Sequence, residues 1–297
     1  MNKVIALYGR RIQADVAQVF KHLLGLLNRR GFTIICEEDS AAALVEYGIS
    51  KDSYASLYTE STIADFAPIM LLSVGGDGTF LGAASLVKCK DIPILGINCG
   101  RMGFLANVAR QDIEKAIDVI SAGNYTLSQR DVLGFVSGQD EQVEGYALNE
   151  VSIMKSDMAS LLTINVCVNG NFLTTYWADG LVISTPTGST AYSMSAGGPI
   201  VCPDCRLLLL TPVSPHNLSL RPMAIPVDSK IEITVESRSG DYVLCADSEM
   251  YKRDDRCTVH IATGDFKINV VQLPGTNFYD TIRKKLYWGE DMRNSKY

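Results

Sequence analysis

Three stretches of the chain combine residue types that could handle phosphate and sugar. The first is Gly75-Gly76-Asp77-Gly78-Thr79, directly after the apolar run IMLLSV. Glycines let a ligand approach the backbone closely, and such a turn can aim N–H groups and the start of a helix at anionic oxygens. Asp77 among phosphates could either help hold Mg2+ or accept the proton of an attacking hydroxyl. The plainer alternative is a tight turn with Asp77 or Thr79 as a helix cap. No G-x-x-x-x-G-K-[ST] occurs, which excludes a Walker phosphate loop. The second stretch is Asn149-Glu150 in ALNEVSIMK. Neighbours in a strand face opposite ways, so only a strand end or a bulge could turn both into one site. Otherwise the pair is an ordinary polar strand terminus. The third runs from Asp179 to Pro199, where the strand LVIS opens into a segment rich in hydroxyls and glycine. It offers donors for phosphate and sugar oxygens and an aromatic ring, Tyr192, for a base. A mobile surface loop is the alternative. Cys202 and Cys205 have metal spacing, but no second pair completes four ligands, so no structural metal is expected there.

These residues need elements to position them. Up to about residue 122, short apolar runs (VIALYG, FTIIC, IMLLSV, PILGIN) alternate with helical periodicity such as Val16, Phe20, Leu23 and Leu27. That rhythm predicts a parallel, Rossmann-like sheet with helices on its faces. Ligands on such sheets bind at the carboxyl ends of strands. Two glycine-rich crests follow strands directly, the turn at Asp77 and Gly100-Arg101-Met102-Gly103. Beyond residue 124, β-branched and alternating runs separated by Gly, Asn, Asp and Ser read as all-β. Phe278, Ile282 and Leu286 restore a helical face. The expected division is an α/β domain over 1–123, a β-rich domain over 124–272, and a closing segment, 273–297, whose helix returns to the first domain.

The 297 residues suit two domains, and 47% hydrophobic with 20% charged residues is ordinary globular usage. A net charge of −6 gives no global attraction to nucleic acid or anionic lipid, so neither partner is expected. No apolar run approaches the ~20 residues of a spanning helix, and LLLL at Leu207 to Leu210 reads as a buried strand. The apolar stretch in MNKVIALYGR is shorter than a signal-peptide core, so export is not expected, and eight scattered cysteines, read as buried thiols, suit a reducing cytoplasm.

Taken in order, G-G-D-G-T at 75–79, Asn149-Glu150, D-G-L-V-I-S-T-P-T-G-S-T-A-Y-S from Asp179, T-P-V-S-P-H-N-L-S-x-R-P from Thr211 and the closing Y-D-T-I-R-K-K-L-Y-W-G resemble NAD kinases, particularly the bacterial form, over nearly the whole chain. The G-G-D-G turn also occurs in diacylglycerol and sphingosine kinases and phosphofructokinases; the block from Asp179 to Ser195 is the specific part. The resemblance implies an α/β domain followed by a β-sandwich-like domain, in a homodimer or homotetramer. It implies transfer of the γ-phosphate of ATP to the 2′-hydroxyl of the adenosine ribose of NAD, with Mg2+ or another divalent cation as cofactor. Asp77 is then the proton acceptor, with Gly78 beside it, and Gly75, Gly76, Gly78 and Thr79 face the triphosphate. Asn149, Glu150, Asp179, Thr190, Ala191, Tyr192, Ser193, Met194, Ser195 and Asp247 contact the dinucleotide. Glu249 stands where the family often has Gln, and Trp177 where many relatives have a smaller or charged residue, which leaves NAD against NADH open. Arg101 and Lys155 could assist with charge, or be ordinary surface cations. The rival readings are a lipid kinase of the diacylglycerol class and a dinucleotide sensor without turnover.

Overall fold

The computed structural model describes residues 3–100, 103–138, 142–157 and 160–289. They form two compact units, Met1–Gln129 with Ile268–Tyr297, and Arg130–Lys267.

In the first unit the strands β1 (Val4–Gly9), β2 (Thr33–Glu37), β3 (Ser56–Tyr58), β4 (Met70–Gly75), β5 (Ile94–Asn98) and β6 (Val108–Ala109) alternate with α1 (Ala14–Arg29), α2 (Glu38–Val45), α3 (Asp77–Val87) and α4 (Ile113–Ser121). All strand pairs among them are parallel, in the order β5-β4-β1-β2-β3 with β6 beside β5. Strands covered on both faces need near-continuous apolar sequence, and β4 is buried at every position. Helix α1 turns Phe20, Leu23, Leu24 and Leu27 inward at three- and four-residue spacing. It ends where Gly31 takes a left-handed φ of 73°.

The second unit holds most of β7 (Thr126–Ser137), then β8 (Val143–Ala147), β9 (Glu150–Lys155), β10 (Leu162–Val168), β11 (Asn171–Ala178), β12 (Gly180–Ser184), the short helix α5 (Tyr192–Ser195), β13 (Leu207–Val213), β14 (Met223–Pro226), β15 (Ile231–Glu236), β16 (Asp241–Ala246), β17 (Glu249–Asp254) and most of β18 (Val259–Gln272). One antiparallel sheet runs β14-β13-β12-β9-β16-β17; in the other, β11-β10-β15-β18 lie in order, with β7 and β8 attached. Their inner faces share one core that includes Ile153, Ile164, Leu181, Leu210, Ile233 and Leu244, as in a β-sandwich. Strand β15 shows the expected alternation, with Ile231, Ile233 and Val235 in and Glu232, Thr234 and Glu236 out. LLLL lies in β13, largely buried.

From Ile268 the end of β18 belongs to the first unit, where Val270 pairs parallel with Ile94 of β5. The chain closes with helix α6 (Phe278–Leu286), capped by the Asn277 side chain, which accepts from the Asp280 amide. Among the described residues no helix is long and apolar enough to cross a membrane. One sequence expectation needs correction: of the eight cysteines only Cys36 and Cys99 are buried. Apolar neighbours in an alternating strand do not bury every position, and Cys167 sits on an outward position of β10.

Candidate active site

Parallel pairing of β4 with β5, Gly75 opposite Asn98, brings the Asp77 turn and Gly100 to the same, carboxyl end of these two strands. Asp77 is the first residue of α3, and no side chain caps that helix. Its carboxylate instead crosses to the loop after β5. The Phe104 amide donates to Oδ2 at 2.7 Å, and the Leu105 and Ala106 amides donate to Oδ1 at 3.0 Å each. The simple cap reading of Asp77 is thereby replaced by a clamp between two loops. A carboxylate oxygen has two lone pairs, so one acceptor position on Oδ2 remains. Gly103 is glycine because a β-carbon there would overlap the Asp77 carboxylate. Around Gly76 and Gly78 the space is open, with nothing near where a β-carbon would sit, while Thr79 is buried against Gly75. Arg101 lies outside the described residues.

The sequence reading missed one residue here. Lys285 of α6 holds its Nζ 4.5 Å from the centre of the Phe104 ring. That nitrogen is buried without a hydrogen-bond partner. Burial draws its pKa down to about 8, with the Asp77 charge pulling the other way. The closing Y-D-T-I-R-K-K-L-Y-W-G motif was the available signal, but spacing alone does not say which of its cations turns inward.

In the second unit, Asp247 repeats the device of Asp77. Held at φ 48° after β16, it accepts the Leu148 amide on Oδ2 at 2.8 Å and the Asn149 and Glu150 amides on Oδ1 at 2.9 and 3.2 Å. Burial raises its pKa, opposed by those three amides. Asn149 precedes β9 and Glu150 opens it, the strand end that a shared site requires. The Thr185 hydroxyl donates to the Leu148 carbonyl at 2.6 Å and accepts the Gly188 amide at 3.1 Å. A β-carbon at Gly188 would overlap the Asn149 carbonyl. The segment is therefore a packed turn over Thr187–Thr190 followed by α5, not a mobile loop.

Several of its hydroxyls face inward. Ser189 Oγ donates to the Val201 carbonyl and accepts the Val201 amide, and Ser193 Oγ bonds Thr211 Oγ1 at 2.9 Å. Thr190, Ala191 and Met194 are half-buried, while Tyr192 and Ser195 are exposed. What remains unsatisfied is informative: Asn149 Oδ1 and Glu150 Oε2 are buried with no partner. Burial first, then the Asp247 charge, pushes Glu150 up to about 8, against a lowering bond from the Tyr192 backbone N–H. The Tyr192 phenol meets Met154 Sδ at 3.9 Å. Its pKa is raised by burial and by the charges of Cys245, Asp179 and Glu150, which it therefore neighbours. Asp179 pairs with Lys155 at 2.6 Å. Trp177 is half exposed, and Glu249 accepts a bond from the Tyr251 hydroxyl.

Among the described residues no group of three or more His, Cys, Asp or Glu is placed to hold a metal. With most of its lone pairs used by amides, Asp77 can offer a cation one position at most. A magnesium ion here would take its other ligands from a nucleotide's phosphates and water, its usual habit at phosphate sites.

Residues 5–125 match the ATP-NAD kinase N-terminal domain family and residues 148–273 the ATP-NAD kinase C-terminal domain family. A protein of Flavobacterium psychrophilum named NAD kinase is 40% identical over 293 residues, 98% of this chain and 99% of that one. Another NAD kinase, from Bacteroides fragilis, is 41% identical over 292 residues, 97% of this chain and 99% of its own. Among solved structures the chain is similar to yeast NADH kinase complexed with NADH, with a TM-score of 0.87, 23% identity, and 99% of this chain and 90% of that one covered. It is also similar to an NAD kinase from Archaeoglobus fulgidus in complex with ATP, with a TM-score of 0.74, 22% identity, and 96% and 98% covered. At such identities the likeness to both structures is one of fold.

Proposed function

The chain belongs to the NAD kinase family, and from that premise we infer that it transfers the γ-phosphate of ATP to the 2′-hydroxyl of the adenosine ribose of NAD, forming NADP. The observation that carries this reading is the orphaned pair Asn149 Oδ1, an acceptor, and Glu150 Oε2, a donor while the carboxyl is protonated and an acceptor once a ligand draws it into the ionised form. A buried acceptor without a donor costs about 1–3 kcal/mol, so the site suits a ligand that brings donors. Adenosine brings them, in its amino group and ribose hydroxyls; an unprotonated phosphate brings none. Asp179, Asp247 and the segment from Thr190 to Ser195 complete this pocket. Asp247 acts by holding the 148–150 backbone and Tyr192 by offering a ring to the base.

Phosphoryl transfer asks mainly for positioning and charge neutralisation. The remaining lone pair on Asp77 Oδ2 accepts the hydrogen of the attacking hydroxyl, and the three amides hold the carboxylate in place while it does so. The turn Gly75, Gly76, Gly78 and Thr79 faces the triphosphate, with the open approach at Gly76 and Gly78 and with Thr79 packed on Gly75 behind them. A bound Mg2+ or other divalent cation would supply charge neutralisation on the phosphates. Family membership removes the lipid-kinase rival, and turnover separates an enzyme from a silent sensor. A homodimer or homotetramer in the cytoplasm completes the proposal, the oligomer to be read by light scattering.

The deciding experiment incubates the purified protein with Mg-ATP and either NAD or 2′-deoxy-NAD and follows phosphorylated dinucleotide by chromatography. Product from NAD alone is expected. Equal product from both would place the acceptor hydroxyl elsewhere and refute the 2′-kinase reading.

A further inference from the structure

Helix α6 carries three cations in its last turn, Arg283, Lys284 and Lys285. Arg283 pairs with Asp280, and Lys284 is exposed. Lys285 differs: its Nζ is buried, makes no hydrogen bond, and rests 4.5 Å from the centre of the Phe104 ring. The backbone of Phe104 is itself clamped to Asp77 at 2.7 Å, so the ring under the ammonium belongs to the loop that is tied to the glycine turn. Asp77 is near enough for its charge to act on Lys285, yet its oxygens are engaged by three amides and none receives a Lys285 hydrogen.

An ammonium has three donors and no acceptor, and leaving all three unmade in a buried setting is costly. A cation–π contact with Phe104 offsets only part of that cost. The chemistry that fits is an anion with several acceptor oxygens, arriving where Gly76 and Gly78 leave the backbone open. No Walker lysine exists in this chain to meet a triphosphate.

We propose that Lys285 binds a β- or γ-phosphate oxygen of ATP at the Gly75 to Thr79 turn, so that the C-terminal helix supplies the phosphate-binding lysine. The proposal rests on the NAD kinase reading for the identity of the nucleotide. It makes Lys285 a residue of the reacting site rather than a surface cation of a terminal helix.

The test uses the full chain with Lys285→Gln, Lys285→Met and Lys285→Arg. Lys285→Met keeps an unbranched stem against Phe104 and serves if the glutamine variant fails to fold. Loss of one charge-assisted hydrogen bond predicts a KM for ATP about 10- to 100-fold higher in the two neutral variants, with the KM for NAD within about twofold of wild type. Calorimetry with ATP and with AMP, both in chelator without metal, gives a readout independent of turnover. ATP binding should weaken by a similar factor while AMP binding stays unchanged, and arginine should restore most of the loss. Unchanged ATP binding would overturn the proposal. An equal loss for ATP and AMP would also overturn it, since it would mean a displaced helix rather than a lost phosphate contact. A wild-type protein that binds ATP through Lys285 but makes no NADP would instead sink the kinase reading and leave this contact standing.

Discussion

Glu150 makes the pH dependence of stability predictable. Burial and the neighbouring Asp247 charge raise its pKa from 4.5 to about 8. The folded chain therefore holds the proton more tightly than the unfolded chain. Stability from this group is fully present below about pH 4.5 and is lost as pH rises toward about 8. Each pH unit in that window costs up to about 1.4 kcal/mol, so the whole window costs about 5 kcal/mol at most, and about 2–4 kcal/mol once water penetration and relaxation are allowed for. Glu150→Gln keeps the shape of the protonated side chain and cannot ionise. Urea unfolding of both proteins at about pH 5 and about pH 8.5 should show the variant gaining about 2–4 kcal/mol on the wild type between the two conditions. Subtracting one protein from the other removes the contributions of the three histidines and other shared groups. Bound NAD, whose donors satisfy the carboxylate, should flatten the wild-type slope. A stability difference that stays constant with pH, or changes in the opposite sense, would refute an ionisable carboxyl held neutral in this pocket.

Three further outcomes are expected. Asp77→Asn should retain NAD binding by calorimetry and lose about 10²- to 10⁴-fold in turnover; near wild-type turnover would remove Asp77 as proton acceptor. Gly103→Ala drives a methyl into the Asp77 carboxylate and should lower stability by about 1–3 kcal/mol together with activity, and a thermal midpoint and turnover matching wild type would contradict the clamp. Asp179→Ala leaves Lys155 without its 2.6 Å partner and should raise the KM for NAD by about tenfold or more, in proportion to a lost charged hydrogen bond of about 1.5–3 kcal/mol, with the KM for ATP unmoved; the reverse pattern would assign Asp179 to the other nucleotide.

What the sequence determined by itself was whatever depends on neighbours along the chain. Apolar runs spaced by helical periods specified the parallel sheet, alternation such as that of Ile231, Ile233 and Val235 specified an all-β second half, and the glycines around Asp77 specified an open turn after a strand. That Asn149 and Glu150 could share a site only at a strand end or a bulge also followed from period-two geometry, and the structure has them at a strand end. Tertiary structure decided where the polar groups go. The amides that hold Asp77 lie 27 to 29 residues away and those that hold Asp247 lie 97 to 99 residues away. No local pattern distinguishes a carboxylate that binds backbone from one that binds a ligand. The hydroxyls of Thr185, Ser189 and Ser193 are chemically as ligand-ready as that of the exposed Ser195, yet the fold gives them to its own backbone and to Thr211. The unit boundaries fall inside two long strands, β7 and β18, where no turn or linker residue marks them. Lys285 sits among three consecutive cations, and only the docking of α6 selects which one is buried. In each case a long-range contact competes with water for the same donor or acceptor, and burial, which the sequence does not spell out residue by residue, decides the winner.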